Sequence, residues 1–298
     1  MKTRNIPLID LPIPLPRRDA ISPDIKLKIS GLILLLLLAS SWSYVLWIHA
    51  GEFMDTFSAR NLDNAYEFFG SLLGSQTDTP AYTDWTQWQQ ALTLSLQTLK
   101  MSVLAIGLAG LGMLLTVILG ARKTADGTLS LKATLPGKLL FGVIRTSYMI
   151  ARGVPELFWA MLIILVFNPG ILPGALALAV HNYGILGKLC SEIVEDLDPR
   201  PIRSLRSSGA GLFQILFYGI LPEVMPQFLT YLLYRWEEII RTTIVVGFVS
   251  AGGLGKQFRL SMNWFHYTEV TLYLICYFLL VILVDIISGM MRSLAKSN

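Results

Sequence analysis

Four side chains suited to acid–base or ion-pair chemistry, His181, Lys188, Glu192 and Glu195, follow one another at offsets of 7, 4 and 3 in the run GALALAVHNYGILGKLCSEIVED. On a helix those offsets keep all four within one narrow face. A second run repeats the device, with Gln227, Tyr231, Tyr234, Glu238 and Arg241 stepping by 4, 3, 4 and 3. Neither stripe is equipped for covalent chemistry. His181 has no second ligand at metal-binding spacing and no nucleophile beside it, so it makes a poor metal site and a poor general base. No residue is therefore assigned a catalytic or metal-binding role. SAGGLGKQ, Ser250 to Gln257, resembles a phosphate loop at first sight. A P-loop needs G-x-x-x-x-G-K followed by Ser or Thr, whereas Ser250 replaces the first glycine and Gln257 the hydroxyl residue. Gly252, Gly253 and Gly255 read instead as a sharp turn or gate, where a residue without a side chain tolerates φ > 0 and close helix contact.

The elements that position these stripes follow from composition. Of 298 residues, 53% are hydrophobic and only 15% charged, and the mean hydropathy is +0.57. A soluble domain carries about a quarter charged residues. Apolar runs at Ile29 to Ile48, Leu92 to Leu119 and Val270 to Met290 are long enough to cross a hydrocarbon core of about 30 Å as helix. Val154 to Phe167 and Gly174 to Val194 are two more, separated by the turn-rich NPGILPG, and another begins after Pro222. The expectation is an all-α integral membrane protein with about six transmembrane helices. KLLFGVIRTSYMIARG is amphipathic and basic and is expected along the inner interface before Pro155 opens the third span.

Basic residues set the sidedness, because segments rich in them stay on the cytoplasmic face. Residues 1 to 28 carry six, Arg122 to Arg152 another six, and Pro199 to Gly211 three, whereas Gly51 to Ala91 has Arg60 alone among six acids. The expected order is a cytoplasmic arm at 1–28, a first transmembrane helix at 29–50 and an external segment at 51–91. A core at 92–292 and a cytoplasmic tail at 293–298 complete it, with both termini inside. The net charge of +4 belongs to this sidedness and calls for no nucleic acid. Cys190 and Cys276 fall in apolar spans without paired spacing, which argues against a disulfide framework or a zinc site.

A charge at the bilayer centre costs at least about 2.5 kcal/mol, so both stripes must face protein or water. Two readings stay open. In the structural one the residues grip each other, with Lys188–Glu192 and Glu237–Arg241 as i,i+4 pairs. In the other, His181, Lys188, Glu192, Tyr234, Arg235, Glu238 and Arg241 line a polar path, where Arg235 and Arg241 favour an anion. Between the stripes the chain turns hydrophilic. Asp198 suits an N-cap and Pro199 a first helical turn. IRSLRSS then forms a short helix with Ile202, Leu205 and Arg206 on one face. Gly209 and Gly211 bend the chain, LFQILFY forms a second short helix, and Pro222 opens the next span. The element is expected to protrude as an apolar knob ringed by arginines, a docking surface for a soluble partner.

Gly209 followed thirteen residues later by Pro222, within Leu221-Pro222, resembles the cytoplasmic coupling loop of binding-protein-dependent ABC importer permeases. The pattern of that loop is E-A-A, three residues, Gly, nine residues, I-x-L-P. RGVPEL, HNYGILGKLCSEIVEDLDPRP, YGILPEVMPQFLTYLLYRWE and VVGFVSAGGLG extend the resemblance from about Leu92 to Ile287, and are most similar to the phosphonate and phosphite importer permeases. The resemblance implies a type I ABC importer permease fold in the bacterial inner membrane, with the coupling loop at about 198–221. Arg203, Ser204, Leu205, Gly209, Leu221 and Pro222 would meet the ATPase. It implies a pair of permease subunits, simplest as a homodimer, two ATP-binding cassette subunits that bind ATP and Mg, and an external solute-binding protein. The chain itself would hold no cofactor and catalyse nothing. Its solute would be a small oxyanion such as phosphonate or phosphite. Two departures stand out: Arg203, Ser204 and Leu205 occupy the Glu-Ala-Ala positions, and Gly219 occupies the Ile position.

Other readings are a permease of the same superfamily for phosphate or an amino acid, and an ion-coupled secondary carrier, against which the missing inverted repeats argue. An intramembrane hydrolase built on His181 lacks a nucleophile.

Overall fold

The computed structural model of the chain describes residues 23–125 and 135–296. Most of the expected N-terminal arm, residues 126–134 of the basic connection and the last two residues of the tail lie outside the described residues. The chain divides into two units, Met1–Glu67 and Phe68–Asn298. In the first, α1 (Pro23–Ile48) is an apolar helix with no buried side chain, and Trp42, Tyr44 and Trp47 stand exposed toward its C-terminal end. α2 (Ala50–Thr56) follows, and the division between units falls within α3 (Ala59–Leu72).

In the second unit, a 3₁₀ turn at Ala81–Thr83 leads into α4 (Trp85–Thr116). This helix starts ahead of the apolar run because the Asp84 carboxylate accepts from Thr86 N at 2.9 Å and caps it. Its buried face is made largely of small residues, Ala91, Ser95, Thr98, Ser102, Ala105 and Ala109, which lets other helices approach closely. α5 (Arg122–Ala125), α6 (Leu135–Gly153), α7 (Glu156–Val166) and α8 (Ile171–Asp196) come next, then the short helices α9 (Pro199–Ser207) and α10 (Leu212–Gln214). A π-helical turn at Ile215–Ile220 enters α11 (Leu221–Val246), and a second at Gly247–Ala251 leaves it. α12 (Gly253–Asn263) and α13 (Tyr267–Lys296) complete the chain.

α8 forms the centre of this unit, packed against α4, α6, α7 and α11. α6 runs antiparallel to its C-terminal half, as the pairs Arg145–Glu195, Tyr148–Gly187 and Arg152–Gly184 show. Glycine is required at the last two: a Cβ on Gly187 would lie 2.5 Å from Tyr148 Cδ1, and one on Gly184 2.6 Å from Arg152 N. α6 and α7 are bent 96° from one another at Gly153–Pro155, where proline cannot donate the helical bond. α7 alone has 11 residues, about 16 Å of helix and short of a bilayer core of about 30 Å. The expected third span, Val154 to Phe167, is thus too short to cross alone; α6 and α7 qualify only together, as a broken span or a re-entrant loop, and the basic α6 packs along α8. Among the described residues four helices are long and apolar enough to cross a membrane, five if the bent pair counts as one. α8, with 26 residues, has the length for a crossing, about 39 Å. Its polar stripe keeps it out of that set, which accounts for the difference from the six crossings read in the sequence.

Candidate functional site

The segment between α8 and α11 forms as its residues dictate. Asp198 caps α9 by accepting from Arg200 N at 2.9 Å, and prolines occupy the first turn. At the other end Gly209 N donates to Arg206 O at 3.0 Å and Ala210 N to Leu205 O at 3.1 Å, the paired bonds of a Schellman motif, with Gly209 left-handed at φ +84. Gly211 N then donates to Gln214 Oε1 at 2.8 Å as the chain enters α10.

α9 presents a different face from the one expected. Ile202 is buried among Val194, Leu197, Ile215, Ile220 and Val224, and Leu205 packs on the same cluster. The apolar side of α9 is therefore turned to its own chain, and Arg203, Ser204, Arg206 and Ser207 face outward. Arg206, one turn after Ile202 on the same side of the helix, is exposed. The exposed apolar residues here are Leu212, Phe213, Phe217 and Tyr218. LFQILFY is not a separate second helix. It continues through the π turn into α11, with Leu221 N reaching back to Leu216 O, so Pro222 lies within the first turn of a helix already entered. A Cβ at Gly219 would lie 2.9 Å from Leu205 Cδ1, the end of a flexible side chain that would have to shift to admit it.

The helices that carry the two stripes, α8 and α11, are joined by polar residues that belong to neither stripe. Arg235 Nε and Nη2 donate to Asn182 Oδ1 at 2.9 and 2.6 Å, joining α11 to α8. Asn182 is fully buried, and its amide nitrogen donates to Leu178 O at 2.7 Å. Beside it, His181 Nδ1 lies 2.9 Å from Val154 O and Nε2 3.2 Å from Glu156 Oε2, which clamps the bend between α6 and α7. Lys188 and Glu192 pair at 3.2 Å as expected. Glu195 instead turns to Arg145 and to Arg122 N. Arg241 does not pair with Glu237. It contacts Glu238 at 3.0 Å and both oxygens of Asp285 on α13 at 3.0 Å, while Glu237, buried, pairs with Arg292. Tyr234 is exposed.

The glycine turn after α11 is built as its residues suggest. Gly252 and Gly253 have φ of +104 and +66, and Leu254 N donates to Thr98 Oγ1 at 2.9 Å. A Cβ on Gly255 would lie 2.9 Å from Gly247 Cα, so two backbones touch here.

Sequence reasoning missed Asn182, Glu156, Asp285, Arg292 and Arg145. Asn182 and Glu156 lie inside the quoted stretches HNYGILGK and RGVPEL and were legible as polar residues in apolar runs. Asp285 is the one acid in the apolar run of α13, which was itself a signal.

Residues 127–296 match the family of binding-protein-dependent transport system inner membrane components. The phosphite transport system permease protein PtxC of Stutzerimonas stutzeri is 34% identical over 220 residues, 74% of this chain and 75% of that one. The phosphate-import permease protein PhnE of Mycolicibacterium smegmatis is 29% identical over 231 residues, 78% of this chain but 40% of that protein's length. In fold, a chain of the MetNI methionine ABC transporter in an inward-facing conformation superposes with a TM-score of 0.61 at 16% identity, covering 71% of this chain and 99% of that one. With the helical core, the loop joining α8 to α11 and these similarities in agreement, the chain belongs to the family of binding-protein-dependent transport system inner membrane components, the permeases of ABC importers.

Proposed function

We propose that this chain forms the translocation path of an importer for a small phosphorus oxyanion, phosphite or a phosphonate, driven by ATP hydrolysis on separate subunits. The observation that carries the coupling half of the reading is the seat of α9. Ile202 belongs to the buried cluster that also holds Val194 and Leu197 at the end of α8, Ile215 and Ile220 in the π turn, and Val224 in α11, and α9 packs on the π turn. Force applied to α9 would pass through the π turn into α11, and through the shared cluster to the end of α8, the two helices that meet at Asn182 and Arg235. Two copies would pair with two ATP-binding cassette subunits, which bind ATP and Mg, and an external binding protein would deliver the solute. Both termini would be cytoplasmic. Arg203, Ser204, Leu205, Gly209, Leu221 and Pro222 would form the coupling element, Gly252, Gly253 and Gly255 a gate turn, and the α8 and α11 stripes the path. The stripe of α11 supports pairing, because Tyr234, Glu238 and Arg241 remain at least partly exposed on a helix that cannot offer them to lipid.

The solute class rests on the similarity to the phosphite transport system permease protein PtxC. The name of the Mycolicibacterium relative, phosphate import, favours phosphate as a second reading. The test is uptake of labelled phosphite, methylphosphonate and phosphate into proteoliposomes holding the complete complex. Phosphite or methylphosphonate uptake that requires ATP and the binding protein is expected. Uptake that survives without ATP and follows an ion gradient would overturn the reading.

A further inference from the structure

We infer that Arg235, braced by Asn182, is the residue that grips the oxyanion in the path, and that Arg241 is not. This rests on the oxyanion reading above. The two arginines share a helix but differ in what surrounds them. Arg241 lies between Glu238 and Asp285, two carboxylates for one cation. Its charge is more than balanced, and it ties α11 to α13. Arg235 is in none of the ion pairs among the described residues. The carboxylates of its neighbourhood are engaged elsewhere, Glu238 with Arg241 and Glu156 with His181.

Among the described residues its one acceptor, Asn182, is neutral. A guanidinium has five N–H donors in a fixed plane. Nε and Nη2 turn one edge to Asn182 Oδ1. Asn182 cannot rotate away, because its own nitrogen is bonded to Leu178 O and it is fully buried. The brace therefore sets the plane of the guanidinium without cancelling its charge. Nη1 and the second N–H of Nη2 are left as a fork, the geometry that binds two oxygens of one phosphorus centre side by side. A half-buried cation in a membrane span, held by a neutral amide, is complemented by a mobile anion.

Asn182→Asp separates this role from a structural one. The substitution keeps shape and acceptor and gives Arg235 a permanent countercharge; it also gives up the bond from Nδ2 to Leu178 O, a loss that the amount of assembled complex reports. If Arg235 were only a helix tie, an ion pair at that point would hold the helices at least as well, and transport would persist. As the gripping residue, Arg235 would be neutralised and blocked. The measurement is ATP-driven phosphite uptake by the complete complex in proteoliposomes, scored as phosphite moved per ATP hydrolysed, alongside the amount of assembled complex. Asn182→Asp is expected to assemble normally and to lower that ratio about tenfold or more, the scale of losing a hydrogen-bonded pair to a charged group. Arg235→Lys, which keeps charge but loses the fork, should fall between it and the wild type. A ratio for Asn182→Asp within about twofold of wild type, a small change on the same scale, would overturn the inference while leaving the phosphite reading intact. Wild-type complex that moves no phosphorus oxyanion would overturn both.

Discussion

Replacing Gly209 tests whether the left-handed turn behind α9 transmits force. Its φ is +84, and a Cβ built there meets nothing within 4 Å. The free chain thus has room for a side chain, and the whole cost lies in the backbone, about 1–2 kcal/mol for an ordinary L-residue. The alternative is to leave the left-handed region and give up the bonds from Gly209 N and Ala210 N, roughly 0.5–1.5 kcal/mol each. The two routes are closely matched, so the end of α9 should open more often, the ratio of closed to open turn lowered by a factor of about 5 to 30. Ile202, buried at the other end of the helix, keeps α9 attached, and the membrane helices are untouched. Gly209→Asn, Gly209→Ala and Gly209→Val should insert at normal abundance. Asn tolerates left-handed backbone and should be mildest, and Ala and Val should both weaken co-purification of the ATPase and uptake together. Normal ATP-driven uptake by Gly209→Val would refute the assignment of this loop. Full function with Ala but none with Val would refute the backbone argument and point to crowding by the partner's surface instead.

Gly187→Ala should be far more damaging to the chain than Gly209→Val, because its methyl would enter the Tyr148 ring. Overpacking of this kind costs about 1–3 kcal/mol or more, so the protein should be depleted from the membrane, and Gly187→Ala with wild-type abundance would contradict the α6–α8 packing. Gly219→Ile should weaken ATPase association, and adding Leu205→Ala should restore part of it, because one side chain fills the space the other leaves; additive effects in that double-mutant cycle would exclude the contact. A cysteine at exposed Thr79 should react with an impermeant reagent from outside and one at exposed Ser207 should not; the reverse would invert the topology. Ser71, in the same segment as Thr79, is buried and makes a poor labelling site.

The helices and their polar faces were legible because i, i+3 and i+4 spacing is a property of neighbouring residues. The partners were not, because they come from distant parts of the chain. Arg241 has Glu237 at i−4 within reach, yet it pairs with Asp285, 44 residues away, once α13 packs alongside. Asn182 is 53 residues from Arg235. The cap at Asp198 and the turns at Gly209 and Gly252 were readable from residue type, since only local backbone demands are involved. The inward face of α9 was not. Ile202 and Leu205 were correctly placed on one side, but which side meets protein depends on where α8 ends and α11 begins. The break at Pro155 was marked in the sequence, whereas the 96° it turns through is decided by packing on α8.

The two π turns, at Ile215–Ile220 and Gly247–Ala251, stand at either end of α11. Each residue of an α-helix advances the azimuth by about 100°, and a π turn absorbs one residue more than an α turn. α11 is therefore indexed like a key on a shaft: the direction in which Arg235 points is set by how many residues precede it as much as by its own identity. A single-residue deletion within 215–220 that restored α geometry would leave every side chain of α11 chemically unchanged. It would also leave the direction of the stripe relative to α9 almost unchanged, because the residue removed is the one the π turn absorbs, whereas a deletion in the regular helix between 223 and 234 would swing Arg235 and its stripe by about 100°, a little over a quarter turn.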